Sequence, residues 1–298
     1  MQDPVVVLKG VHCRLGTRTV LQGLDLALAG GSVHALVGAN GAGKSTLMRL
    51  LLGFVQTNAG SAEILGQRCD RLSPALRGRI AYVQEDHALP GAMRVGELLA
   101  AQRRRHAARW QVDVLQGVLE RFALEPMQRV DGLSRGERAG LALALALAQG
   151  PELLLLDEPT LGLDVAARRS FLEALLQVGL VGHCTVLYAS HHMEEVERLA
   201  ETLIVLRDGR TLLHDTPDAL ASRVRCWQAE FPFGAPERLP CLPGQLSHMA
   251  RGPLREWLLL DADPQAVRAT LQAAGAARMG QASVGLERAL GAVLELPR

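Results

Sequence analysis

A chain of 298 residues, 48% hydrophobic and 21% charged, has the apolar material for one large or two modest domains and the profile of a soluble globular protein. Its formal net charge of +1 excludes a global electrostatic pull toward nucleic acid or a membrane surface. Five scattered cysteines (Cys13, Cys69, Cys184, Cys226 and Cys241), odd in number and with no CxxC pair, argue against a disulfide framework or a zinc site and for reduced thiols in a cytosolic setting.

The chain opens on Met1-Gln2-Asp3-Pro4 with no basic segment ahead of an apolar core, so no signal peptide is expected. Residues 5–30 alternate apolar and polar in two runs around Leu15-Gly16-Thr17, the pattern of an antiparallel hairpin. Val33-His34-Ala35-Leu36-Val37 reads as a buried strand, and a helix is expected over Thr46–Leu52, ending near Gly53. Short strands follow at Ser61–Leu65 and at Arg79–Val83, the latter ending at Gln84. From Val95 to about Ala123 the spacing is helical, with Leu98, Leu99, Val112, Leu115 and Leu119 as core candidates. The longest apolar stretch, Leu141 to Leu156, is broken by Gln149-Gly150-Pro151-Glu152 and is too short to cross a bilayer. Any membrane role is therefore expected to come through a partner.

Leu153–Leu156 and Cys184–Tyr188 read as buried parallel strands, followed by a helix over Met193–Ala200 and a hairpin around Arg207-Asp208-Gly209. Alternating strands and helices indicate an α/β layered domain over residues 1–217. A proline- and glycine-rich stretch, Phe231-Pro232-Phe233-Gly234 through Leu239-Pro240-Cys241-Leu242-Pro243-Gly244, then separates it from a strand at Trp257–Leu260. An amphipathic helix over Asp263–Ala274, with Val267 and Leu271 inward, completes a small α+β domain over 218–298. No internal repeat is present.

The chemistry concentrates in Gly38-Ala39-Asn40-Gly41-Ala42-Gly43-Lys44-Ser45, with Thr46 next, between the first buried strand and the helix. Glycines at these spacings let the backbone turn tightly and aim N–H groups at phosphate oxygens, and the helix N-terminus adds positive partial charge. Lys44 supplies the point charge for the outer phosphates, and the Ser45 hydroxyl is placed to bind Mg²⁺. Composition sharpens this reading: lysine occurs only at Lys9 and Lys44, against a large excess of arginine. Asp157 and Glu158 sit at the carboxyl end of the Leu153–Leu156 strand, the sheet edge where ligands bind in open α/β folds. Asp157 suits the coordination shell of Mg²⁺, which keeps several waters and takes few carboxylates. Glu158 can orient and deprotonate a water.

On these motifs and their order, the chain resembles the ATP-binding subunit of an ATP-binding cassette (ABC) transporter over residues 5–217. The phosphate loop is followed by Gln84, by Leu133-Ser134-Arg135-Gly136-Glu137 in the place of the signature loop, by Asp157-Glu158, by Leu161-Gly162-Leu163-Asp164 and by Ser190-His191. The resemblance implies a P-loop cassette: a mixed sheet with a RecA-like core, an antiparallel β subdomain and a helical subdomain over about 86–150. It implies ATP and Mg²⁺ as ligands, with Ser45, Gln84 and Asp157 at the metal and Glu158, His191 and Gln84 in catalysis. Ser134, Arg135, Gly136 and Glu137 would cap ATP bound to a second copy, and Asp164 would couple the two sites of that homodimer. An integral membrane permease would be the other partner, holding the subunit on the inner face of the cell membrane, and no nucleic-acid partner is implied. The permease recognises the cargo, so the sequence leaves the cargo open. The alternatives are a soluble ABC ATPase acting on ribosomes or DNA, and a low-turnover nucleotide-dependent regulator; the first usually carries two cassettes, zinc or coiled-coil insertions, none of which occurs here.

The chain departs from the family pattern at several places. The usual Gly-Gly-Gln of the signature is Arg135-Gly136-Glu137, whose arginine fits the exporter branch and whose glutamate is expected to weaken phosphate binding. Gly140 and Leu145 stand where arginines are usual, and Val165 replaces a proline. The aromatic expected before Gly16 is Leu15, and no Phe, Tyr or Trp precedes Phe54, so base stacking is expected to be reduced or borrowed from His12 or Arg14. Arg103-Arg104-Arg105-His106 with Arg109 reads first as a solvated helix face, and second as a surface for anionic lipid or a permease. The C-terminal domain resembles the accessory domain of drug-exporter-like members, with Ser283–Leu290 a loose counterpart of their terminal motif.

Overall fold

The computed structural model describes residues 4–179, 184–231 and 241–295. It divides into two compact units, Met1–His214 and Asp215–Arg298. The first unit opens with β1 (Pro4–Leu15) and β2 (Arg18–Ala29), antiparallel around the Gly16-Thr17 turn. With β4 (Ala59–Ile64) and β5 (Gln67–Arg68) they form a four-stranded sheet in the order β2-β1-β4-β5, the strand β3 (Val33–Val37) belonging elsewhere. Its inward side chains, among them Val6, Leu8, Leu21, Leu24 and Ile64, close on α1 (Lys44–Leu51).

The second sheet of this unit is built on β3, β6 (Ile80–Val83), β7 (Leu153–Asp157), β8 (Thr185–Ala189) and β9 (Thr202–Arg207), with β10 (Arg210–Asp215) at its edge, in the order β10-β9-β3-β8-β7-β6. The pairs β3–β8, β3–β9, β6–β7 and β7–β8 are parallel. Both faces of such a sheet are covered, which is why Leu153, Leu154, Leu155 and Leu156 form an unbroken apolar run, all fully buried. The parallel register puts the carboxyl ends of β3, β8, β7 and β6 side by side, at one edge of the sheet.

A short helix, α2 (Pro74–Arg77), capped by Ser73, precedes β6. The helical run expected over 95–123 is instead two helices, α3 (Val95–Arg105) and α4 (Val112–Arg121). The break leaves Val112 43% exposed, so it is not a core residue, while Leu98 and Leu115 are buried and Leu99 and Leu119 pack against the same core. Arg103, Arg104 and Arg105 are exposed in the last turn of α3, where cations suit the helix dipole. Arg109 departs from that cluster: its guanidinium donates to the Gly150 carbonyl and pairs with Glu152. The helix α5 (Arg135–Ala148) starts six residues before the apolar stretch that begins at Leu141, because Ser134 and Glu137 close a capping box at its start. Helix α6 (Val165–Gly179) follows the loop after β7, and α7 (Met193–Leu199) follows β8.

The second unit starts with α8 (Pro217–Arg223), capped by Thr216. Its antiparallel sheet runs β12-β13-β11-β14, from β11 (Val224–Glu230), β12 (Gln245–Arg251), β13 (Leu254–Leu260) and β14 (Arg278–Ser283). Helix α9 (Pro264–Ala273), capped by Asp263, buries Val267 and Leu271 against Trp227, Trp257 and Leu259. Ser283–Leu290 spans the end of β14 and the start of α10 (Leu286–Leu294), where Leu286, Ala289 and Leu290 are buried. Most of the proline-rich stretch, 232–240, lies outside the described residues.

Candidate active site

Four segments meet at the carboxyl edge of the parallel sheet because each leaves one of four neighbouring strands. The phosphate loop leaves β3, Ser190-His191 leaves β8, Glu158 leaves β7 and Gln84 leaves β6. The loop cannot carry side chains at its tightest points. A Cβ on Gly38 would lie 2.3 Å from the Leu206 carbonyl oxygen, and Gly43 takes φ 112 with Leu21 Cδ2 2.9 Å from its would-be Cβ. Helix α1 begins at Lys44, two residues earlier than the spacing suggests, so the loop's N–H groups run directly into a helix N-terminus.

Lys44 is 7% exposed, and its Nζ donates to the Gly38 carbonyl at 2.8 Å and lies 3.4 Å from Glu158 Oε1. The ammonium is thus held inside the loop it serves. Ser45 Oγ donates to Asp157 Oδ1 at 3.2 Å, and the Tyr82 hydroxyl donates to Asp157 Oδ2 at 3.4 Å. Burial pushes the Asp157 carboxyl above its usual range, against the hydrogen bond from Ser45; burial likewise pushes the Tyr82 phenol up to about 12. A desolvated carboxylate beside a hydroxyl is a site that a hard cation would relieve. The donor set fits Mg²⁺, which takes oxygen ligands and few carboxylates.

Glu158 takes φ 49, a left-handed conformation unusual for a side chain with a Cβ, and its N–H donates to the Ala189 carbonyl at 3.0 Å. Its carboxylate bridges two partners: Oε1 faces Lys44, and Oε2 is 2.6 Å from His191 Nδ1. The neighbouring His192 is differently engaged. Its N–H donates to Ser190 Oγ at 3.0 Å, and burial lowers the imidazole's proton affinity. Gln84 is exposed; its carbonyl accepts from the His87 N–H at 3.1 Å, and its side-chain amide joins neither Ser45 nor Asp157. In register it still flanks Asp157, since Val83 pairs with Leu156 on β7. Asn40, Ala39 and Gly41 are exposed on the loop, while Ala42 and Thr46 are buried beneath it.

The remaining expected residues do not touch this cluster within the chain. Ser134 Oγ accepts from the Glu137 N–H at 3.2 Å, and Glu137 Oε2 accepts from the Ser134 N–H at 2.8 Å. The Arg135 guanidinium covers Gly162, where a Cβ would come within 2.6 Å of it, and Gly136 abuts Ala167. Asp164 Oδ1 accepts from the Ala167 N–H at 2.8 Å and caps α6, leaving Val165 exposed.

Two buried groups behind the site escaped the sequence reading. Glu195, 2% exposed, accepts from Thr160 Oγ1 at 2.8 Å, from Ser190 Oγ at 2.9 Å and from the Tyr188 hydroxyl, with Arg168 Nε at 3.5 Å. His87, 2% exposed at φ 48, places Nε2 2.7 Å from the Pro159 carbonyl. The available signal was position alone: Glu195 lies four residues beyond His191, and Thr160 two beyond Glu158.

The arrangement offers a glycine loop with one inward cation, a hydroxyl–carboxylate pair of the kind a hard metal takes, and a carboxylate–imidazole pair able to take a proton. A family model described as ABC transporter matches residues 21–161. Across 292 residues the chain is 34% identical to Nod factor export ATP-binding protein I of Rhizobium sp. (strain N33), covering 96% of each chain. The chain belongs to the ABC transporter ATP-binding family. Within that family, it is 36% identical over 227 residues to daunorubicin resistance ATP-binding protein DrrA3 of Streptomyces coeruleorubidus, covering 74% of this chain and 71% of that one. Among solved structures, the ATP-binding subunit of an ABC transporter superposes with a TM-score of 0.65 at 25% identity, over 73% of this chain and 92% of that one. A bacterial Atm1-family ABC exporter with ATP bound gives the same TM-score at 28% identity, over 74% of this chain and 40% of that one. This ABC subunit therefore binds ATP and is an ATPase.

Proposed function

We propose that this ATPase powers export through a separately encoded integral membrane permease, and that it works as a homodimer. The observation that carries the catalytic reading is the chain Lys44–Glu158–His191 beside the phosphate loop, with its 3.4 and 2.6 Å contacts. Export is supported by relatives named for Nod factor export along nearly the whole chain, and by one named for daunorubicin resistance. The ribosome, DNA and regulator readings have no comparable support.

Gly38 through Thr46 would cradle the phosphates, with Lys44 neutralising the outer ones. Ser45, Asp157 and Gln84 would hold Mg²⁺, whose charge offsets the negative charge that builds on the phosphates during transfer. Glu158 would take the proton from the attacking water, and His191 would hold that carboxylate and the terminal phosphate in line. Ser134, Arg135, Gly136 and Glu137 would close over ATP on the second copy, and Asp164 would couple the two sites across the dimer. Residues 1–217 form the nucleotide-binding domain in this reading, with 218–298 as its accessory domain. The protein would sit on the cytoplasmic face of the cell membrane, bound through the permease; no described helix is long and apolar enough to cross it. Co-expression with candidate permeases decides the matter. A stable complex whose ATPase rises with cargo supports the reading, and full, cargo-independent turnover with no membrane partner defeats it.

A further inference from the structure

The hairpin that lacks the expected aromatic carries a cation at the same end. Leu15 and Arg18 are the last cross-strand pair of β1 and β2, so their side chains project from one face of the turn. Leu15 is 41% exposed and offers a base only apolar contact. Arg18, also exposed, turns toward the phosphate loop: a Cβ on Gly41 would lie 3.6 Å from Arg18 Nη2. No hydrogen bond or ion pair holds the Arg18 guanidinium among the described residues. The loop's own cation is spoken for, since Lys44 points inward to the Gly38 carbonyl and Glu158. A second, unengaged cation therefore stands beside Gly41, on the exposed part of the loop.

We propose that Arg18 is a nucleotide-binding residue that grips the phosphate tail from outside the loop and offsets the stacking that Leu15 cannot supply. This deepens the reading of the phosphate loop as the ATP site and rests on it. Guanidinium donors form a planar fork that matches two phosphate oxygens, and such charge-assisted bonds are the stronger class. A phosphate grip is blind to the base. The site would thus accept ATP and GTP alike and bind its ligand mainly through charge.

The test titrates the full chain with Mg-ATP, Mg-GTP and inorganic tripolyphosphate, for native protein, Arg18→Ala, Arg18→Lys and Lys44→Ala. Arg18→Ala is expected to weaken all three ligands by a similar factor of about tenfold, the lower end for hydrogen bonds to charged groups. Arg18→Lys is expected to recover part of the loss, and the Arg18→Ala penalty is expected to shrink at high salt. In turnover, KM rises while kcat holds, since the contact is made equally in ground and transition states. Loss of ATP affinity with tripolyphosphate unaffected would show that Arg18 meets the base and would overturn the proposal, as would no change in any ligand. Lys44→Ala separates the two levels. If it abolishes binding while Arg18→Ala does nothing, only the Arg18 proposal fails; if it leaves binding intact, the reading of the loop fails with it.

Discussion

At the scale of single residues, the proposed site would separate the binding of phosphate from the handling of a proton. Lys44 and Glu158 touch, yet their substitutions should fail differently. Glu158→Gln keeps the shape and loses the basicity, so ATP binding should persist while turnover falls by about two to four orders of magnitude. The variant should also accumulate as an ATP-bound dimer in size-exclusion chromatography; a monomer with ATP, or native turnover, removes Glu158 from the general-base role. His191→Ala should slow turnover because Nδ1 is the partner of the Glu158 carboxylate, whereas His192→Ala should be mild. The reverse ranking in an ATPase assay would give the role to His192. Leu15 bears on affinity alone. Stacking on an aromatic is worth about 1–3 kcal/mol per base, so Leu15→Tyr should tighten ATP binding several-fold with the metal requirement unchanged. A strong native preference for ATP over GTP that survives this substitution would place base recognition elsewhere.

At the scale of elements, the start of helix α5 follows a local rule. Ser134-Arg135-Gly136-Glu137 satisfies the capping-box pattern, and the structure closes it: the Glu137 carboxylate occupies the Ser134 N–H at 2.8 Å. A helix start whose leading N–H is already paired with a carboxylate is a poorer host for a second anion. Glu137→Gln keeps the reciprocal bonds and removes the charge, so it should raise ATP-driven dimerisation and turnover several-fold with thermal stability nearly unchanged. Unaltered dimerisation would mean that this end of α5 does not meet the nucleotide. The sequence made the strands, the phosphate loop and the residues at the strand ends readable, because buried parallel strands and glycine spacings are local signals. It did not disclose the break between α3 and α4, since apolar spacing continues through residues 106–111 while the backbone does not. Nor did it disclose the Glu195 network, whose partners Thr160, Tyr188 and Arg168 come from three separate segments. Because that carboxylate ties Ser190, next to His191, to Thr160, close to Glu158, Glu195→Gln should lower kcat more than it weakens ATP binding. Equal losses in both would mark Glu195 as support for the fold alone.

At the scale of the whole molecule, the thiols report on both units and on pH. Cys13, Cys69 and Cys184 are buried in the first unit and Cys226 in the second, whereas Cys241 is exposed. Burial raises the pKa of all four buried thiols, and that of Cys69 and Cys184 to about 12 from an ordinary 9.0. Since the thiolate is the nucleophile, native protein at neutral pH should react with a maleimide at Cys241 first. The other four should follow only as their unit opens, so Cys226 times the second unit and Cys13, Cys69 and Cys184 the first. The same shifts set a direction for stability. A thiol whose pKa is higher in the native state holds its proton more tightly there, so the unfolded chain ionises first as pH rises. The contribution of Cys69 and Cys184 is therefore complete below pH 9 and is lost as pH climbs from 9 toward 12. Denaturant midpoints should fall across that window. Replacing either cysteine with alanine should flatten the fall while lowering the midpoint at neutral pH through the lost packing. An alkaline slope unchanged in both variants would assign the loss to other groups, of which Tyr82 is the first to examine.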